Sequence, residues 1–158
     1  MLEGLLLSLG DTTLASALRQ SSIAYPLVSS AHIFGIGLLA GGIVILDLRL
    51  LGAIRRGSLS ELAPLMSLVA AVGLALAIVT GTLLFSVQPA HYLDNSAFLL
   101  KQLLISLGLL NTLLVHRLPQ WRAVLAGQPA APLLKLTAVL SLVLWLAVLL
   151  AGRWIAFV

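Results

Sequence analysis

The amino-acid sequence predicts an all-α integral membrane protein, a four-helix bundle with an N-terminal interfacial amphipathic segment. Three observations carry that prediction. Of the 158 residues, 61% are hydrophobic and only 9% charged, and the mean hydropathy is +1.15, far from the balance of soluble domains. Four apolar runs are each long enough to cross a hydrocarbon layer of roughly 30 Å as helices. The charged residues gather at the ends of those runs, where a bilayer tolerates them. Four spans with short connections use most of the chain, so residues 1–158 are expected to form a single membrane domain.

Residues 1–21 mix Leu5, Leu6, Leu9, Leu14 and Leu18 with Glu3, Asp11, Thr12, Thr13 and Arg19, too polar a pattern to span and suited to a helix lying in the interface. A signal peptide is not expected there, because no basic residues precede the apolar stretch. The first span opens near Pro26, a residue favoured in a first helical turn, and runs over 26–46, with Asp47 and Arg49 expected at the interface. Arg55-Arg56-Gly57-Ser58 connects it to the second span, 62–87, where Pro64 falls in the tolerated first turn. Gln88-Pro89 closes that helix, and His91 to Asn95 is expected to be a loop. Asn95 is a suitable N-cap for the third span, 96–116, which Pro119 ends. The fourth covers 132–151, with Arg153 and Trp154 as interfacial anchors.

Arg49, Arg55, Arg56, Arg117, Arg122 and Lys135 flank one side of these spans, while only Arg19, Lys101 and Arg153 belong to the other. By the positive-inside rule the first group faces the cytoplasm. The expected location is therefore the bacterial inner (cytoplasmic) membrane, with both termini periplasmic and the first and third helices parallel.

Ionisable residues inside apolar runs are costly and tend to face a bundle interior, which singles out His32 and Lys101. They lie about 9 Å and about 7.5 Å from the starts of parallel helices, hence at one level. Thr80-Gly81 of the second helix and Trp145 of the fourth are expected at a similar depth. Gly35 and Gly42 follow on the face of His32. Such a stripe suits close helix packing, and it equally suits a flat macrocycle beside a histidine ligand. Lys101 either faces inward or snorkels to the interface. His91 is a candidate metal ligand with His32, a proton relay or a surface histidine. Asn111 is placed to hydrogen-bond across the bundle.

Tyr25-Pro26, His32, Gly35, Gly41-Gly42, Asp47-Leu48-Arg49-Leu50-Leu51-Gly52, Thr80-Gly81 and Ala97-Phe98-Leu99-Leu100-Lys101 together resemble a family of bacterial four-helix membrane proteins of unknown function. More distantly the plan is similar to the membrane protoporphyrinogen oxidase family HemJ and the copper-resistance membrane family CopD. The HemJ resemblance covers His32, Gly41, Arg49-Leu50, Thr80-Gly81 and Lys101, and implies haem b near His32. It departs at Ile45-Leu46-Asp47-Leu48, where HemJ proteins have an aromatic-rich helix end. CopD chemistry would ask for soft sulfur ligands, yet the only methionines are Met1 and Met66.

The expected function is a membrane haem-b protein or subunit for electron transfer, with the haem in the outer half of the bundle. The site would draw on His32, Gly35, Gly42, Thr80, Gly81, Lys101 and Trp145, with His91 as an alternative ligand. A quinone or a periplasmic redox protein would be its partner. A cofactor-free structural or assembly subunit of a larger membrane complex, or a homo-oligomer, is the alternative, and a metal-ion or small-solute permease a third. The absence of cysteine excludes thiolate chemistry and cysteine-held metal. Five acidic residues, mostly at span boundaries, supply no paired-carboxylate hydrolase site. The scattered basic residues make no nucleic-acid surface.

Overall fold

The protein was studied as a computed structural model, which describes residues 12–158. The part of the expected interfacial segment before Thr12 lies outside the described residues. Regular structure among the described residues is entirely helical: α1 (Thr13–Gln20), α2 (Ala24–Leu51), α3 (Leu59–Val87), α4 (Pro89–Asp94), α5 (Ser96–Arg117), α6 (Pro119–Leu125) and α7 (Pro132–Trp154). Of these, α2, α3, α5 and α7 are long and apolar enough to cross a membrane. Leu27, Ile33, Leu68, Ile78, Leu103, Leu136 and Leu150 are among the many large apolar side chains left exposed, the outer coat a bilayer would cover.

The span ends follow from local chemistry. Asn95 caps α5, its side chain accepting from the Phe98 N–H at 3.0 Å. Its amide also donates to the backbone carbonyls of Ile155 and Val158, at 3.1 and 2.7 Å, tying the start of α5 to the end of α7. At the other end of the bundle α2 runs through Asp47 and stops where Gly52 turns left-handed (φ 84°). The Gly52 and Ala53 N–H groups close that turn on the carbonyls of Arg49 and Leu48, a glycine-terminated helix end. The span is thus longer than 26–46 because Asp47 is not an interface marker: it is buried. Arg49, two residues on, turns the other way and donates to the Gly57 carbonyl at 2.9 Å.

Two helix pairs make the bundle. In the first, α2 and α3 touch backbone to backbone through glycines. A Cβ on Gly35 would lie 2.9 Å from the Ala77 nitrogen, one on Gly42 would lie 2.8 Å from the Met66 oxygen, and one on Gly73 would strike the Leu39 nitrogen. Only glycine permits so close an approach, a contact that replaces the missing hydrophobic drive between helices in lipid. In the second, α5 packs on α7, where Asn111 donates across the interface to the Thr137 carbonyl at 3.2 Å. The pairs meet chiefly where α2 lies on α7, while α3 and α5 are bridged by side chains.

Both ends of the gap between α3 and α5 are closed by short helices. At the end where α7 finishes, Phe85 of α3 stacks on Phe98 of α5 with centroids 5.7 Å apart, and Tyr92 of α4 packs against both. The segment expected as a loop after Pro89 is therefore a helical turn that carries an aromatic plug. At the arginine-rich end, α6 places Trp121 and Val124 in a core with Leu50, Ala63, Val115, Leu134 and Ala138. Alongside the plug, α1 buries Ala15 and Leu18, and Arg19 donates to the Val87 carbonyl at 2.6 Å. That bond serves a carbonyl left without an intrahelical partner at the α3 terminus, so α1 is docked on the bundle end.

Candidate functional site

His32 and Lys101 lie within electrostatic reach of each other, as their positions along parallel helices require. The His32 ring lies against α3, with Nδ1 3.0 Å from the Thr80 hydroxyl oxygen. That hydroxyl has one proton, which it donates to the Leu76 carbonyl at 2.6 Å. Its oxygen must then accept from His32, so Nδ1 carries the hydrogen. The Ala77 carbonyl, 3.5 Å from the same hydroxyl, also attracts the ring N–H. In the neutral ring this leaves the Nε2 lone pair free, the arrangement typical of histidine ligands whose other nitrogen is held by a neighbour.

Gly81 makes the seat for the imidazole, since a Cβ there would lie 2.9 Å from His32 Cε1. Lys101 reaches in from α5 along Gly152, whose Cβ position is 3.6 Å from the Lys101 Cε. Its ammonium interacts electrostatically with His32, and no described residue gives it an anionic partner. This layer therefore holds an imidazole and a lysine side chain with no anionic partner among the described residues.

Other expected members lie elsewhere. Gly35 and Gly42 face the α3 backbone, not open space, so the room beside them is already filled by helix packing. Trp145 packs against Gly108, 3.1 Å from its Cβ position, in a cluster with Leu39 and Val148. It lies seven residues below Gly152, about 10 Å deeper than Lys101. Sequence placed it too high because α7 continues to Trp154 and is held in register by Asn95. His91 is exposed on α4, its ring 6.1 Å from that of Tyr92. His32 sits instead beside Thr80, about 10 Å of helix before the end of α3. Among the described residues no three histidine or acidic side chains are grouped to hold a metal.

A second polar layer, unforeseen from sequence, occupies the arginine-rich half. Between the helix pairs lies a cavity of about 300 Å³, at the lower end of the range for small-molecule sites. Asp47, Ser67, Asn111, Ser141, Trp145 and His116 supply its polar groups among leucines and alanines. Asp47 is only 6% exposed and Trp145 4%, and Ser141 stands beside the carboxylate. Even so, Asp47 Oδ2, Ser67 Oγ and Trp145 Nε1 are buried with no hydrogen-bond partner, an expensive condition for polar atoms. His116 donates Nδ1–H to the Thr112 carbonyl at 2.8 Å, with its ring 4.8 Å from that of Trp121. The sequence did carry one signal for Asp47: Gly52, five residues later, is the natural helix end, which puts the aspartate inside the helix.

Comparison with curated proteins and with solved structures finds no match. Residues 18–158 match the model of DUF6644, a family of unknown function, and the chain belongs to that family.

Proposed function

We propose that this chain is a membrane haem-b protein for electron transfer, lying in the bacterial inner membrane with its arginine-rich end in the cytoplasm and its termini in the periplasm. The observation that carries the reading is the His32–Thr80 hydrogen bond, in which Nδ1 donates, so that in the neutral ring Nε2 would be the nitrogen left to bind iron. The imidazole is a suitable donor, and because the cavity of the arginine-rich half is not lined by His32, a macrocycle would have to part the helix pairs on the α5 side of that residue. His32 would hold the haem from one side. Lys101 would balance an anionic substituent of the ring. The bound group would supply one-electron exchange, while the surrounding leucines exclude water and tune the potential by burial. The similarity of plan to HemJ supports the same reading.

An optical spectrum of protein purified from haem-replete cells tests it. A Soret band that His32→Ala removes is expected, and wild-type protein without a Soret band would overturn the proposal. Orientation is separately testable because the chain has no cysteine. Ser58→Cys should react with an impermeant thiol reagent only when the cytoplasmic face is opened, and labelling from the outside of intact cells would reverse the assignment.

A second reading, a cofactor-free subunit of a larger membrane complex, is favoured by the tight glycine contacts of α2 and α3. It expects His32→Ala to change association or stability with no spectral consequence.

A further inference from the structure

We propose that the cavity in the arginine-rich half holds one acyl chain of an anionic phospholipid, whose phosphate is bound at that end of the bundle by Arg117 and Arg122. The site is independent of the haem reading, since His32 does not line it. On α2 the cavity extends from Leu39 to Leu50, about 16 Å of helix rise. Leu39 lies near the middle of α2 and Leu50 one residue from its end. The cavity therefore runs from the end of the span to its middle, the depth of a single leaflet, which is half of a hydrocarbon layer of roughly 30 Å. Its walls are mostly leucine, isoleucine and alanine side chains. The Oδ2 of Asp47, the Oγ of Ser67 and the Nε1 of Trp145 are buried away from it, so the space selects a hydrocarbon chain and not a polar compound.

A chain enters sideways. Ala71 of α3 and Leu113 and His116 of α5 line the cavity and are also exposed, so its mouth opens toward lipid between two helices that are not packed together. At the arginine-rich end α6 closes the floor with Trp121, whose ring lies 4.8 Å from that of His116. That contact places two exposed arginines beside the mouth, because Arg117 follows His116 and Arg122 follows Trp121. Neither has an acidic partner among the described residues. Arg49, Arg55, Arg56 and Lys135 belong to the same end, where Glu61 is the one exposed acid among the described residues. Charge complementarity then names the head group. Guanidinium groups hold phosphate through charge-assisted hydrogen bonds, and basic sites between membrane helices recognise anionic lipids. Free phosphate would leave the apolar space unfilled, and a zwitterionic lipid would bring an ammonium group to a corner that is already positive.

The test uses the full chain carrying Trp154→Phe, which leaves the cavity-lining Trp121 and Trp145 as its tryptophans, in phosphatidylcholine vesicles. Phosphatidylglycerol or phosphatidylcholine brominated in mid-chain is added at rising mole fraction while tryptophan quenching is recorded. Phosphatidylglycerol is expected to associate about tenfold more strongly than phosphatidylcholine. Arg117→Gln with Arg122→Gln should bring the two lipids to parity, whereas Arg117→Lys with Arg122→Lys should keep the preference because the charge remains. Ala71→Phe, which narrows the mouth, should reduce quenching by both lipids. Circular dichroism and thermal unfolding establish that each variant is folded. Equal quenching by the two lipids in the parent protein, or a preference unchanged in the folded double-glutamine variant, would overturn the assignment. Displacement of phosphatidylglycerol by inorganic phosphate at constant ionic strength, or an equal preference for a brominated fatty acid, would replace the phospholipid with another anion. Quenching that emerges only when the protein is diluted in lipid would mean that a second copy of the chain covers the mouth, and would also overturn it. None of these readings depends on a Soret band, so failure here and failure of the haem proposal are distinguishable.

Discussion

The layer around His32 and the layer around Asp47 are built from similar polar residues and solve burial in opposite ways. In the first, imidazole, hydroxyl and backbone carbonyl form a closed chain from His32 through Thr80 to Leu76, and Gly81 shapes the seat. In the second, Asp47 Oδ2, the Ser67 hydroxyl and the Trp145 indole N–H are buried without a partner, in residues that line a cavity. A completed network rigidifies its helices and contributes to stability. An incomplete one lowers stability.

The contrast can be broken most severely at the α2–α3 contact on which both layers hang. Gly73→Ala should destabilise the bundle by about 3 kcal/mol, since the new methyl meets backbone that cannot move aside. Gly41→Ala, where nothing lies within 4 Å, should be close to neutral, and unfolding in mixed micelles measures the difference. At Gly81 the clash is with the movable His32 ring, so Gly81→Ala should cost about 2 kcal/mol. The same titration should accompany it with loss of the His32–Thr80 hydrogen bond in imidazole nitrogen NMR.

The two layers should also respond with opposite signs when one polar group is made less polar. Thr80→Val keeps the shape but breaks a completed chain, and should lower stability by about 1 kcal/mol. Asp47→Asn removes a buried charge with no partner at Oδ2, and should raise the stability of the ligand-free protein by about 1 kcal/mol. Equal signs in one set of unfolding curves would mean that the layers do not differ as described. The smallest change is expected at Asn111, where replacement by Leu should cost about 0.6 kcal/mol for one interhelical hydrogen bond.

Sequence reading succeeded where one coordinate was enough. Helical rise put His32, Thr80-Gly81 and Lys101 near one level because the starts of α2 and α5, at Ala24 and Ser96, were marked by Pro26 and Asn95. The same arithmetic misplaced Trp145, because the end of α7 carries no comparable signal and is set by the tie from Asn95 to Ile155. Asp47 was misread for a related reason. A charged residue near the end of an apolar run looks interfacial until the partner helix that covers it is known. Nor could pattern distinguish glycines that admit a helix from glycines that admit a ligand, since both leave the same gap in a sequence.

By itself the sequence determined four apolar spans, the Asn95 cap, the asymmetry of charge between the two ends and the shared depth of His32 and Lys101. All of these depend on composition and on a fixed rise per residue along a single helix. Only the tertiary structure decided that α3 fills the glycine face of α2, that Trp121 closes one end of the bundle, and that Asp47 and Trp145 face a common cavity. Those outcomes depend on the rotation of each helix about its own axis. In lipid, where apolar residues can point either way at little cost, packing between helices sets that rotation.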